Sequence, residues 1–163
     1  MKTRIENSRC FAPANNCFPI RTIRTFLAED SPLLMALLGR IVSKDKRVFI
    51  VGSATDGCKA EGTAPTVRPD LVITDLHMPG LDGAEVARCL KQLSNPPTIF
   101  VVTSEDTPEA RARSVAAGAD VFLVKAGNLV ARLLSAIQEF FPGDLETNDD
   151  EPKHFCESLT TVE

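Results

Sequence analysis

Leu71-Val72-Ile73-Thr74-Asp75-Leu76-His77-Met78-Pro79-Gly80-Leu81-Asp82-Gly83 is the stretch whose reading decides the fold of this 163-residue chain. The apolar, β-branched run at its start suits a strand covered on both faces. Pro79 and Gly80 cannot continue a strand, so Asp75 is left at its carboxyl-terminal tip. Asp82, with Glu85 three residues on, has the pattern of a capping box and opens a helix. Strand, terminal carboxylate, tight turn and capped helix together make a candidate site. Alone, the motif reads equally well as a plain strand–loop–helix with an incidental Asp.

Three other apolar runs end in chemistry. Phe26-Leu27-Ala28 leads into Glu29-Asp30, Val101-Val102 into Thr103, and Val121–Val124 into Lys125. This order of acidic pair, Asp before a Met-Pro-Gly turn, hydroxyl and ammonium resembles the response-regulator receiver domain, in its single-domain, chemotaxis-regulator-like form. The resemblance spans Ile20 to Pro142.

Strands are expected at Ile23–Ala28, Arg47–Gly52, the stretch quoted above, Thr98–Val102 and Ala119–Val124. Ser31-Pro32 suits a helix start, with Leu34, Leu37, Leu38 and Ile41 on one apolar face. Asp56-Gly57 leads into a second helix, expected to be short or distorted. Gly62 and Pro65 fall inside it, at costs of about 1 and about 3 kcal/mol. Val86, Leu90 and Leu93 share a face of the helix after Asp82. Thr107-Pro108-Glu109 opens a fourth helix ending at Gly118. Leu129, Leu133, Ile137 and Phe140 mark a fifth, which Pro142-Gly143 stops. Alternating strands and helices predict an α/β fold with a parallel sheet covered on both faces. The resemblance makes it a flavodoxin-like, doubly wound (βα)5 fold of strand order 2-1-3-4-5.

Residues 1–19 are expected to be a flexible extension, 20–142 the receiver domain, and 143–163 an acidic, disordered tail. The formal charge of −4 is unevenly spread. From Gly143 onward seven acids face Lys153 alone, the first 19 residues are net basic, and the body is balanced. No basic patch argues for direct nucleic-acid binding. Five scattered cysteines without a Cys-x-x-Cys pair suggest neither a disulfide framework nor zinc. With no signal-peptide pattern and no apolar run near the ~20 residues of a membrane span, a cytoplasmic protein with no membrane association is expected.

In that strand order, ligands bind beyond the carboxyl ends of the first and third strands. Such neighbours lie about 4.8 Å apart, so Glu29, Asp30 and Asp75 should share one hollow, with Thr103 and Lys125 on its rim. Two carboxylates 4 Å apart repel by roughly 4 kcal/mol at an effective dielectric of 20. One lysine cannot offset three acids, and oxygen donors beside phosphate chemistry favour Mg²⁺. The resemblance implies phosphoryl transfer from a phosphohistidine to Asp75, where alignment and charge neutralisation do most of the work. It implies Mg²⁺ held by Asp30, Asp75, the main-chain carbonyl of His77 and, through water, Glu29. Lys125 and Thr103 would contact phosphoryl oxygens, and Thr103 moving inward would switch a protein-binding surface. His77 and Glu105 are candidates for tuning phosphate lifetime, and Phe122 for an aromatic switch. The plainer alternatives are a rim-facing loop side chain for His77 and core filler for Phe122. Ala126 follows Lys125 where the family usually has Pro, often cis. A cis bond before a non-proline costs about 3 kcal/mol, so that loop should be strained or arranged differently.

The expected function is a phosphoacceptor signalling domain, not a free-standing enzyme. A sensor histidine kinase or histidine phosphotransfer protein would phosphorylate it, and a downstream effector protein would bind it, as a monomer or weak dimer. One alternative is a phosphorelay intermediate that passes phosphate on. Others are the receiver fragment of a longer DNA-binding regulator and a pseudo-receiver acting without phosphorylation. A phosphatase with an Asp nucleophile would want a second Asp two residues after Asp75, where His77 stands.

Overall fold

A computed structural model describes residues 21–143. The N-terminal extension and the acidic segment from Asp144 lie outside the described residues. Five strands and five helices alternate: β1 (Ile23–Ala28), α1 (Pro32–Val42), β2 (Val48–Ala54), α2 (Gly57–Val67), β3 (Leu71–Thr74), α3 (Gly83–Lys91), β4 (Thr98–Thr103), α4 (Pro108–Ala116), β5 (Val121–Val124) and α5 (Leu129–Phe140). All strand pairs are parallel, in the order β2-β1-β3-β4-β5.

Alternation along the strands divides the core into two layers. Phe26, Val72, Ile99 and Val101 pack on one face of the sheet with Ala60 and Ala64 of α2 and Val86 and Leu90 of α3. Leu27, Leu71, Ile73, Phe100 and Val102 pack on the other with Leu38 and Ile41 of α1 and Leu133 and Ile137 of α5. All four residues of β3 are buried, as a strand covered on both sides requires.

Helix starts follow the expected capping chemistry. Ser31, Asp56 and Thr107 accept backbone N–H bonds at the heads of α1, α2 and α4. The Asp82–Glu85 capping box closes in both directions.

Three expectations differ from what is observed. Helix α2 runs 11 residues despite Gly62 and Pro65. Pro65 sits in its last turn, where few further backbone bonds remain to be lost, and Ala60 and Ala64 anchor the helix on the core. Arg68 then ends it in the left-handed conformation at φ 45°. Leu37 is exposed, because α1 buries Leu38, Ile41 and Val42. Phe140 is also exposed, its ring meeting the edge of Phe100 at 5.5 Å between centroids.

The edge strand β2 carries exposed Phe49 and a bulge at Val51, where the register with β1 slips by one residue. The two ends of the sheet differ in charge. Glu29, Asp30, Asp56, Asp75, Asp82 and Glu105 lie with Lys125 at the carboxyl ends of the strands, whereas Arg21, Lys44, Lys46, Arg47 and Arg68 lie with Asp45, Asp70 and Asp120 at the opposite end.

Candidate functional site

The ladder continues one residue past each central strand. Glu29 N–H donates to Ala54 C=O at 3.0 Å, Asp75 N–H to Ala28 C=O at 2.9 Å, and Lys125 N–H to Thr103 C=O at 2.6 Å. Register therefore delivers Glu29, Asp75, Thr103 and Lys125 to one end of the sheet. Lys125 Nζ lies 2.7 Å from Glu29 Oε2 and 2.7 Å from Asp75 Oδ2. Glu29 is 0 % exposed and the Lys125 side chain 8 %. Burial pushes the Glu29 carboxyl above its ordinary value, and the Lys125 ammonium holds the rise in check.

Carboxylate oxygens of Glu29, Asp30 and Asp75 lie within 4.8 Å of one another. Glu29 and Asp75 are buried while Asp30 is exposed, so the cluster opens to solvent on the Asp30 side. Three anionic oxygen donors against one ammonium suit a hard divalent cation such as Mg²⁺.

A second set of contacts joins the loop after β3 to the loop after β4. His77 N–H donates to Asp75 Oδ1 at 3.3 Å, and His77 Nε2 lies 2.6 Å from Glu105 Oε2. Thr107, the cap of α4, donates its hydroxyl to Glu105 Oε1 at 2.7 Å. The bond from Thr107, then the one to His77, hold the Glu105 carboxyl below its ordinary value. Glu105 N–H in turn donates to Thr103 Oγ1 at 3.2 Å. A continuous path of hydrogen bonds thus links Asp75 to the fully buried Thr103 and to the head of α4.

Two glycines press helix ends against this loop. A Cβ at Gly83 would overlap the carbonyl oxygen of Asp75, and one at Gly57 that of Leu81. Gly57 N–H also donates to Pro79 C=O at 3.0 Å. Gly80, at φ 79°, makes the turn between them.

Phe122 stands apart from the acidic cluster. It is buried on β5 beneath the Arg111 guanidinium of α4, 4.7 Å from the ring centroid. That cation–π contact and the Arg113–Asp82 ion pair between α4 and α3, at 3.2 Å, have no signature in the sequence. The loop after Lys125 is arranged differently rather than strained. Lys125–Ala126 is trans, and Gly127 takes the left-handed conformation at φ 60°. His77, at the position a phosphatase would give to a second Asp, turns its ring to Glu105.

The response regulator receiver domain family matches residues 25–138. Among curated relatives, a protein-glutamate methylesterase/protein-glutamine glutaminase of Anaeromyxobacter dehalogenans is 38% identical over 100 residues, 61% of this chain and 29% of that protein. A probable transcriptional regulatory protein NarL of Mycobacterium tuberculosis is 31% identical over 103 residues, 63% of this chain and 48% of that protein. The chain thus spans between a quarter and a half of these relatives.

Solved structures agree. The signal receiver domain of the putative response regulator NarL from Mycobacterium tuberculosis superposes with a TM-score of 0.66 at 28% identity, covering 72% of this chain and 98% of that one. The response regulator domain of Thermotoga maritima CheB gives 0.67 at 26% identity, covering 73% and 96%. The chain belongs to the response regulator receiver family of two-component systems. No helix among the described residues is long and apolar enough to cross a membrane.

Proposed function

We propose that Asp75 accepts a phosphoryl group from a phosphohistidine on a sensor kinase or phosphotransfer protein. The observation that carries it is the single Lys125 ammonium shared by Asp75 and Glu29 beside the three-carboxylate cluster. In the transfer, Asp75 attacks phosphorus, the donor's P–N bond breaks and an acyl phosphate forms. Glu29, Asp30, Asp75 and the His77 carbonyl would hold Mg²⁺, which when bound supplies neutralising charge to the phosphoryl oxygens. Lys125 exchanges a carboxylate for a phosphoryl oxygen, staying within hydrogen-bond reach of both Glu29 and the acceptor. Thr103 turns its hydroxyl toward the new phosphate.

Because Glu105 N–H rests on Thr103 Oγ1, that movement disturbs the loop leading into α4. A shift of α4 past Phe122 then alters the surface offered to an effector protein. A cytoplasmic location, with no direct hold on nucleic acid, suits this role. His77 and Glu105 stand at the mouth and control how water reaches the phosphate.

Incubation with Mg²⁺ and a small acyl phosphate donor, followed on a phosphate-affinity gel, tests the proposal. A retarded, Mg²⁺-dependent band is expected for wild type and not for Asp75→Asn. Followed over time, its decay should change when His77 or Glu105 is replaced. A protein that stays unlabelled with every donor, or an Asp75→Asn variant labelled as well as wild type, would overturn it.

A further inference from the structure

The end of the sheet remote from Asp75 holds a cleft of about 650 Å³ that phosphoryl transfer does not use. Its size is that of a small-ligand or peptide pocket. Pro69 and the Pro96-Pro97 pair give it stiff walls, Phe141 lines it from the end of α5, and Arg21 and Arg68 stand on its lining against a single carboxylate, Asp70, which accepts the Arg24 backbone N–H at 2.9 Å. Both arginines are exposed, and neither forms an ion pair among the described residues. The Arg68 backbone is pinned. Arg24 donates Nε to the Arg68 carbonyl at 3.2 Å and Nη2 to that of Val67 at 2.7 Å.

We propose that this cleft receives the chain's own acidic segment, Asp144–Glu151. Charge and exit point both favour it. The segment carries Asp144, Glu146, Asp149, Asp150 and Glu151 in eight residues. It starts at the cleft's border: Phe141 lines the cleft, Arg47 Nη1 donates to the Phe141 carbonyl at 2.6 Å, and Gly143 lies against that same guanidinium. At ~3.3–3.6 Å per residue, eight extended residues reach across a cleft of this size.

Guanidinium forks at Arg21 and Arg68 match carboxylates in two-point fashion, and Leu145 supplies an apolar side chain for the side lined by Leu93 and Phe141. Tethering raises the local concentration of the segment to the millimolar range, so modest contacts suffice. The opposite end of the sheet repels the same segment with its own carboxylates.

Amide NMR of the full chain tests this. The probe variant neutralises the segment alone (Asp144→Asn, Glu146→Gln, Asp149→Asn, Asp150→Asn, Glu151→Gln) and leaves the folded body untouched. The amides of Arg68, Ser94, Asn95 and Thr98 should shift relative to wild type while those of Asp75 and Thr103 stay in place. Arg21→Gln with Arg68→Gln should abolish the wild-type positions in the same way. A synthetic peptide of residues 144–151 added to the neutralised chain should move the same amides back. High salt should bring the wild-type spectrum onto that of the variant, since screening shortens to a few ångströms. Identical spectra for wild type and the neutralised chain would overturn the proposal. So would shifts that survive the double arginine substitution, a peptide that moves amides elsewhere, or shifts that vanish on dilution, which would assign the cleft to a second copy.

Discussion

Lys125 is held by two carboxylates in the resting protein, and one of them, Glu29, has no solvent to fall back on. Removing one partner of a buried pair typically costs about 3–5 kcal/mol, because the other charge is left behind. Lys125→Ala should therefore lower the free energy of unfolding, read by urea titration, by that order, and adding Glu29→Gln should recover a large part of the loss. The pH dependence follows from the same burial. Glu29 is held above 4.5 in the folded chain, so folding favours its protonated form. Its contribution is present below about pH 4.5 and is lost as pH rises through the folded-state value. Glu29→Gln should flatten the fall in urea midpoint across that window, and an unchanged slope would refute the assignment.

Among the elements, α3 shows how closely the site loop is gripped. An added methyl at Gly83 meets the Asp75 carbonyl, which is backbone and cannot swing aside. Gly83→Ala should cost about 2–3 kcal/mol by overpacking, read as a lowered urea midpoint, and should slow labelling of Asp75. The strands that carry the site were legible because their periodicity and their terminal residues pointed the same way. Leu71–Thr74 is buried throughout, and Asp75 follows at its tip. The length of α2 was not legible, because propensity penalises Gly62 and Pro65 locally, whereas packing of Ala60 and Ala64 on the sheet is a tertiary effect. The site was readable from four strand ends, β1 and β3 supplying the acids and β4 and β5 supplying Thr103 and Lys125. Its coupling to α4 was not: the Arg113–Asp82 and Arg111–Phe122 contacts join residues whose separation in the sequence implies no pairing.

At the scale of the whole molecule, one polar clasp joins distant parts of the chain. Asp45 binds Arg47 at 2.7 Å, and Arg47 reaches across to the Phe141 carbonyl at the end of α5. Hydrogen bonding from Arg47 holds the Asp45 carboxyl below 3.8. The sign is opposite to that of Glu29: this stabilisation is present above about pH 3.8 and is lost as pH falls through the lower folded-state value. Asp45→Asn should melt earlier than wild type at neutral pH, and the gap should close in acid. A gap that persists at pH 2 would point to packing rather than charge.

The slip at Val51 bears on how the protein behaves when crowded. Among the described residues nothing pairs with the outer side of β2, and its seven residues include no charge. An uncharged edge of that length is the kind of template on which fibrils grow. The extra residue breaks the row into Val48–Ile50 and Gly52–Ala54 and twists one against the other. A newcomer strand finds three residues in step and then loses its footing, so concentrated solutions should stay clear.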